Sequence, residues 1–183
     1  MSAALKDHEV VPDVVDSAPP HALTVKYGSL EICDGNVITP THVFEEPTEI
    51  TWPTEPNALY TLCMTDPDAP SRKDPKSREF LHWLLVNIPG CDLVKGEALA
   101  EYVGSGPPKG TGLHRYVFLA YKQPGPVTCD EPKMPNNSPD NRRKFSIRNF
   151  AAKYGMTLIG ANFYLAEYDE TSLKVHRQMG LIL

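Results

Sequence analysis

Two polar loops and two histidines hold the residues whose types and spacing could do chemistry. Asp66-Pro67-Asp68-Ala69-Pro70-Ser71-Arg72 joins acids to restrained prolines, and Gly104-Ser105-Gly106-Pro107-Pro108-Lys109-Gly110-Thr111-Gly112 leads directly into Leu113-His114-Arg115-Tyr116. Four glycines in nine residues let a backbone turn amides toward an anion, while adjacent prolines limit the conformations lost on binding. The same composition describes a rigid structural turn with no ligand, and composition alone favours that plainer alternative.

Other chemistries fail on spacing. The glycine loop is no Walker A motif, because Lys109 precedes Gly110 instead of standing before a Ser or Thr at the start of a helix. Gly104-Ser105-Gly106 lacks the spacing of a nucleophile elbow and continues through two prolines. His82, His114 and Asp66 or Asp68 are suitable metal-ligand types, yet they are dispersed and offer no HxxxH or CxxC spacing. The basic group Arg142, Arg143, Lys144 and Arg148 reads as the solvated face of a helix.

The elements that must position these residues are mostly strands. Eighteen prolines against twelve glycines leave little room for long helices and punctuate short apolar runs. Strands are expected over residues 22–27, 37–38, 49–52, 58–65, 80–88, 113–122 and 158–168, mainly antiparallel. Period-two alternation puts His114, Tyr116 and Phe118 on one face and Leu113, Arg115 and Val117 on the other. The same count puts Phe80, His82, Leu84 and Val86 on one face, where an unpaired imidazole among apolar neighbours is costly, so His82 needs a partner. One helix is expected from an Asp140 N-cap to a Gly155 stop, on the spacing of Ile147, Phe150, Ala151 and Tyr154. A second is expected over residues 170–179.

Composition bounds the rest. The length of 183 residues fits one domain, 1–183, with a substantial core. The net charge of -5 argues against a generic nucleic-acid binder, which needs surplus Lys and Arg. The longest apolar stretch, Leu81-His82-Trp83-Leu84-Leu85-Val86, is far short of the ~20 residues that span a bilayer. The first residues carry no apolar core of a secretory signal, and Cys33, Cys63, Cys91 and Cys129 are scattered. A cytoplasmic monomer with free thiols is the expectation.

Thr65-Asp66-Pro67-Asp68-Ala69-Pro70-Ser71-Arg72-Lys73-Asp74-Pro75, then His82 within Phe80-Leu81-His82-Trp83, then the stretch from Tyr102-Val103-Gly104 to Leu113-His114-Arg115-Tyr116 closely resemble the phosphatidylethanolamine-binding protein family, whose animal members include the Raf kinase inhibitor protein. The resemblance runs from about Leu23 to about Asp169. It implies a mainly β fold, with a large antiparallel sheet packed on a smaller one, flanked by a few short α-helices. It also implies a small anion pocket at one end, made by Asp66, Ala69, Pro70, Phe80, His82, Gly106, Pro107, Pro108, His114 and Tyr116. Phosphorylated head groups such as phosphorylethanolamine, and simple anions, are the implied ligands. Neither cofactor nor metal is implied, and no turnover.

Within that pocket the Gly106 amide, the Tyr116 hydroxyl and a His82 donor would bond phosphate oxygens, with Pro70, Pro107 and Pro108 as a rigid apolar rim. Asp66 would fix a histidine's tautomer or accept a ligand's ammonium. If His82 holds a dianion as imidazolium, affinity rises as pH falls through its pKa. The implied protein partner is a Raf-type kinase, with peripheral membrane contact at most. The alternative is inhibition of a serine protease or carboxypeptidase, for which the only visible bait is a mobile-looking N-terminus; hydrolysis of a phosphoester or acyl group is third. Two places depart from the family. His176 stands where relatives carry a tyrosine that closes over the pocket, and Asn149 stands near their regulatory serine, leaving neighbouring Ser146 as the substitute.

Overall fold

A computed structural model describes residues 2–182. The chain opens with helix α1 (Ser2–Asp7) and a short kinked turn, α2 (Val10–Asp13). Strands β1 (His21–Ala22), β2 (Thr24–Tyr27), β3 (Leu30–Glu31), β4 (Asn36–Val37) and β5 (Glu49–Thr51) follow. The central strands are β6 (Leu59–Asp66), β7 (Phe80–Pro89), β8 (Glu97–Ala100), β9 (His114–Lys122) and β10 (Thr157–Ala166), with α3 (Ile147–Lys153) before β10 and α4 (Thr171–Gln178) after it.

Among the described residues these strands form two sheets. The larger runs β1-β10-β9-β6-β7-β8, with β4 also beside β10, and the smaller runs β3-β2-β5. The central pairings are antiparallel, whereas β1 and β4 lie parallel to β10. Alternation along β9 splits the large sheet's faces as expected. Val117, Leu119 and Tyr121 face a core shared with Leu5, Val10, Ile147 and Phe150 from the helices. Tyr116, Phe118 and Ala120 face a second core against Val25 and Ile50 of the smaller sheet and the adjoining Trp52. A smaller cluster of Phe80, Val103, Val175 and Met179 sits beneath α4. No described helix is long and apolar enough to cross a membrane, and the four cysteines are free.

Four expectations are corrected. Along β7, Met64 pairs with Trp83 but Thr65 pairs with Leu81, so His82 is an extra residue opposite β6. This bulge puts Leu84 and Val86 in the helix-side core while Phe80 and His82 point away from it, so these residues do not share one face. The helix expected from Asp140 begins instead at Ile147, capped by Ser146, whose hydroxyl accepts from Asn149 N at 3.2 Å. Residues 140–145 turn through Asn141 (φ 66°) and Lys144 (φ 59°), left-handed positions that a helix cannot contain.

The basic group is consequently no helix face. Arg142 is fully buried, and Arg142, Arg143 and Lys144 all precede the helix. The N-terminal segment is not a loose arm either. Leu5, Val10 and Val14 are fully buried, and Arg115 reaches back to His8 O at 2.8 Å and Asp13 Oδ2 at 2.9 Å.

Candidate ligand-binding site

At one end of the large sheet the end of β6 and the starts of β7 and β9 meet the two polar loops and α4 around a cavity of about 140 Å³. An apolar cavity of about 150 Å³ accommodates a benzene ring. This one therefore has room for a head group and not for a pair of acyl chains.

The floor is built from side chains that the local sequence aims inward. Asp66 ends β6 and does two jobs: Oδ1 accepts Asp68 N at 2.7 Å, closing the turn, and Oδ2 meets His114 Nδ1 at 2.8 Å. His114 Nε2 lies 2.8 Å from Thr111 Oγ1, whose single proton goes to Pro108 O at 2.7 Å. Asp66 and Thr111 thus hold the His114 ring from both of its nitrogens. Asp66, His114 and Thr111 stand in the order of a hydrolase relay. The Thr111 hydroxyl is spent on Pro108, however, so His114 cannot take its proton.

His82 is buried, and its Nδ1 donates to Val103 O at 2.7 Å, the partner its setting demanded. Nε2 makes no hydrogen bond to the described residues. Burial lowers the His82 pKa to about 4; Asp66 and Val103 O oppose that and Arg142 and His114 reinforce it. His82 is consequently neutral near pH 7, with an accepting lone pair on Nε2. This corrects the expectation of an imidazolium: the site desolvates the ring without giving it an acid of its own, because Asp66 is bonded to His114.

Tyr116 stacks between His114, 6.2 Å away, and Tyr164, 5.2 Å away, and meets the edge of His82 at 5.3 Å. Burial raises its hydroxyl well above the usual phenol range, helped by Asp66, Tyr164 and Asp68 and opposed by Ser105, so the O–H stays a donor.

Behind the floor, Arg115 fixes the first loop. Asp68 receives Arg115 N and Nε at 2.9 Å and its terminal nitrogen at 2.6 Å. Burial alone would raise the Asp68 carboxyl, but Arg115 bonds it from three atoms and holds it below the usual range. Alternation on β9 makes this possible, since Arg115 points away from His114 and Tyr116.

The second loop is shaped by close approach. A Cβ on Gly104 would meet the Phe44 and Val43 carbonyl oxygens at 2.9 Å, and one on Gly106 would meet Val175 Cγ1 at 2.9 Å. These two glycines are thus required by packing, whereas Gly110 (φ 79°) and Gly112 (φ 77°) make the turn. The Gly106 N–H has no acceptor among the described residues, while its carbonyl receives His176 Nε2 at 2.8 Å.

Of the residues singled out in the sequence, Asp66, Ala69, Pro70, Phe80, His82, Gly106, Pro108, His114, Tyr116 and His176 line this cavity. Pro107 does not: it is buried between two lining residues of an extended segment, where neighbours point to opposite sides. Sequence reasoning missed Ser77, Arg143, Val175, Met179 and Leu181. The i, i+4 spacing of Val175 and Met179 beside His176 was the available signal for α4 as a wall. Among the described residues no group of His, Cys, Asp or Glu could hold a metal ion.

Comparison with known proteins agrees with this architecture. A family model described as phosphatidylethanolamine-binding protein matches residues 20–164. The chain belongs to the phosphatidylethanolamine-binding protein family. It is 38% identical over 168 residues to the putative odorant-binding protein A5 of Drosophila melanogaster, covering 91% of this chain and 80% of that one. Its fold matches the phosphatidylethanolamine-binding protein from Plasmodium vivax with a TM-score of 0.80 at 27% identity, covering 92% of this chain and 98% of that chain. A carboxypeptidase Y inhibitor, solved in complex with its cognate proteinase, matches with a TM-score of 0.79 at 29% identity, over 91% of this chain and 94% of that chain.

Proposed function

We propose that this family member is a binding protein for small phosphorylated head groups and similar anions, held in the pocket around Asp66, His82, Gly106, His114 and Tyr116. The observation that carries the reading is a buried polar floor whose Asp66 and His114 already bond each other, but which keeps unused bonding capacity. The His82 Nε2 lone pair, the Tyr116 hydroxyl and the Gly106 amide border a space of head-group size. Phe80, Pro70, Val175 and Met179 give it an apolar wall, suiting the carbon skeleton of a phosphorylated alcohol.

Binding rather than turnover is supported by the Thr111 hydroxyl, which is bonded to a carbonyl instead of poised for attack. Calorimetric titration tests the reading. Phosphorylethanolamine should give saturable heat and ethanolamine none, and equal responses to both would refute a phosphate site.

For protein partners, the family reading is modulation of a Raf-type kinase through the rim of this pocket. Co-precipitation that disappears in Asp66→Ala supports it, and no association at high protein concentration refutes it. The likeness to a carboxypeptidase Y inhibitor favours protease inhibition as a second reading. The N-terminal segment suggested as bait is docked through Leu5, Val10 and Val14, so inhibition would have to use another surface. Loss of carboxypeptidase Y activity on addition of this protein is the direct assay.

A further inference from the structure

The charge balance of the pocket leaves one lining cation unanswered. Asp66 is bonded to His114 at 2.8 Å, His82 is neutral near pH 7, and Asp68 behind the floor is taken by Arg115. Arg143 lines the same cavity and is exposed, and among the described residues it has neither an ion pair nor a hydrogen bond.

Its position is rigidly set from the residue before it. The guanidinium of Arg142 is buried without an acid and donates to Leu81 O, Glu101 O, Met134 O and Pro135 O at 2.8–3.1 Å. The backbone is stitched on both sides, by Leu81 N to Arg142 O at 2.9 Å and by Lys144 N to Ser77 O at 3.1 Å, and Ser77 is itself a lining residue. A buried arginine thus anchors the turn, and its neighbour carries a long, unpaired cation at the mouth.

We propose that Arg143 is the charge-selecting residue of the pocket, its guanidinium pairing with the anionic oxygens of a phosphorylated ligand seated against His82 and Tyr116. The assignment rests on the reading of this pocket as a phosphate site and adds the group that supplies its charge. Arginine suits the role because its planar fork meets two phosphate oxygens at once, which a lysine cannot reproduce. Lys76 and Lys144 are exposed nearby but do not line the cavity, so they act only at longer, screened range.

The test is calorimetric titration of the wild type, Arg143→Ala, Arg143→Lys and Lys144→Ala with inorganic phosphate and with phosphorylethanolamine, at low and high salt. A charge-assisted hydrogen bond corresponds to about ten- to a hundredfold in affinity. Arg143→Ala should lose that factor for both ligands, Arg143→Lys should recover part of it, and Lys144→Ala should stay within about twofold. Salt should weaken the wild type more than Arg143→Ala. An unchanged melting temperature shows that the exposed substitution has not disturbed the fold.

Equal loss in Arg143→Ala and Lys144→Ala would show a general surface field and overturn the assignment. Wild-type binding with Arg143→Ala within twofold would overturn it while leaving the pocket reading intact. Absence of wild-type binding to either probe at millimolar concentration would overturn the pocket reading itself, and this assignment with it.

Discussion

The neutral ring of His82 makes a quantitative prediction about how the pocket takes an anion. Its Nδ1–H is committed to Val103 O at 2.7 Å, so Nε2 offers only a lone pair. A phosphomonoester dianion would set oxygen lone pairs against it, whereas the monoanion can donate its P–OH. With a pKa of about 4 the ring is predominantly neutral between pH 5 and 8, and Nε2 carries no proton. The bound complex must then keep the ligand's proton, whose ionisation lies at about pH 6.

Affinity for phosphorylethanolamine should therefore be nearly flat from pH 5 to 6 and fall toward tenfold per pH unit above. The monoanion population drops about fiftyfold from pH 6 to 8, equivalent to about 2.3 kcal/mol. Calorimetry at pH 8 in buffers of different ionisation enthalpy should show about one proton taken up on binding. His82→Phe should bind more weakly and lose much of the pH slope. A dissociation constant that is unchanged or improved from pH 6 to 8, with no proton uptake, would refute the reasoning and make the pocket a dianion site built from donors.

Three further outcomes follow from the surrounding structure. Burial raises Glu79 to about 7, with Thr65, the Ile147 amide, Arg148 and Arg78 opposing. Because its folded pKa lies above the unfolded one, its contribution is complete below about pH 4.5 and is lost as pH rises through 7. Glu79→Gln should therefore gain up to about 3 kcal/mol on the wild type at pH 8, and almost nothing at pH 4.5, in urea unfolding. Asp68→Ala should cost about 3 kcal/mol by removing the bidentate partner of buried Arg115 and leaving it Asp13, and should speed amide exchange in residues 2–15; Asp68→Ala with Arg115→Met should cost less than the single change. Gly106→Ala should cost about 1–3 kcal/mol by pressing on Val175, and should cost less when introduced into a Val175→Ala background, in a denaturation series.

Much of the site was legible because its residues are contiguous. The β9 alternation separates His114 and Tyr116 from Arg115 by period alone, and the two unusual loops supply Asp66, Ala69, Pro70, Gly106 and Pro108 of the lining. The β7 bulge was hidden because both faces of the sheet are buried. Phe80, His82, Leu84 and Val86 satisfy a regular strand as well as a bulged one, so hydrophobic pattern cannot fix the register there. Arg142 was misread for a related reason. Local charge suggests solvent, but the carbonyls that enclose Arg142 come not only from nearby Met134 and Pro135 but also from Leu81 and Glu101, far away in sequence. The wall formed by α4 likewise depends on where that helix docks, which its spacing alone does not specify.

The central claim, a phosphate-binding pocket at this end of the sheet, is tested most directly by a backbone amide NMR titration with phosphorylethanolamine, alongside ethanolamine and the His82→Phe variant. The account predicts saturable shifts confined to residues 66–70, 77–82, 104–116, 143 and 175–181, strongly reduced in the variant and absent with ethanolamine. Shifts that are absent at millimolar ligand, or that appear equally with ethanolamine, would contradict it.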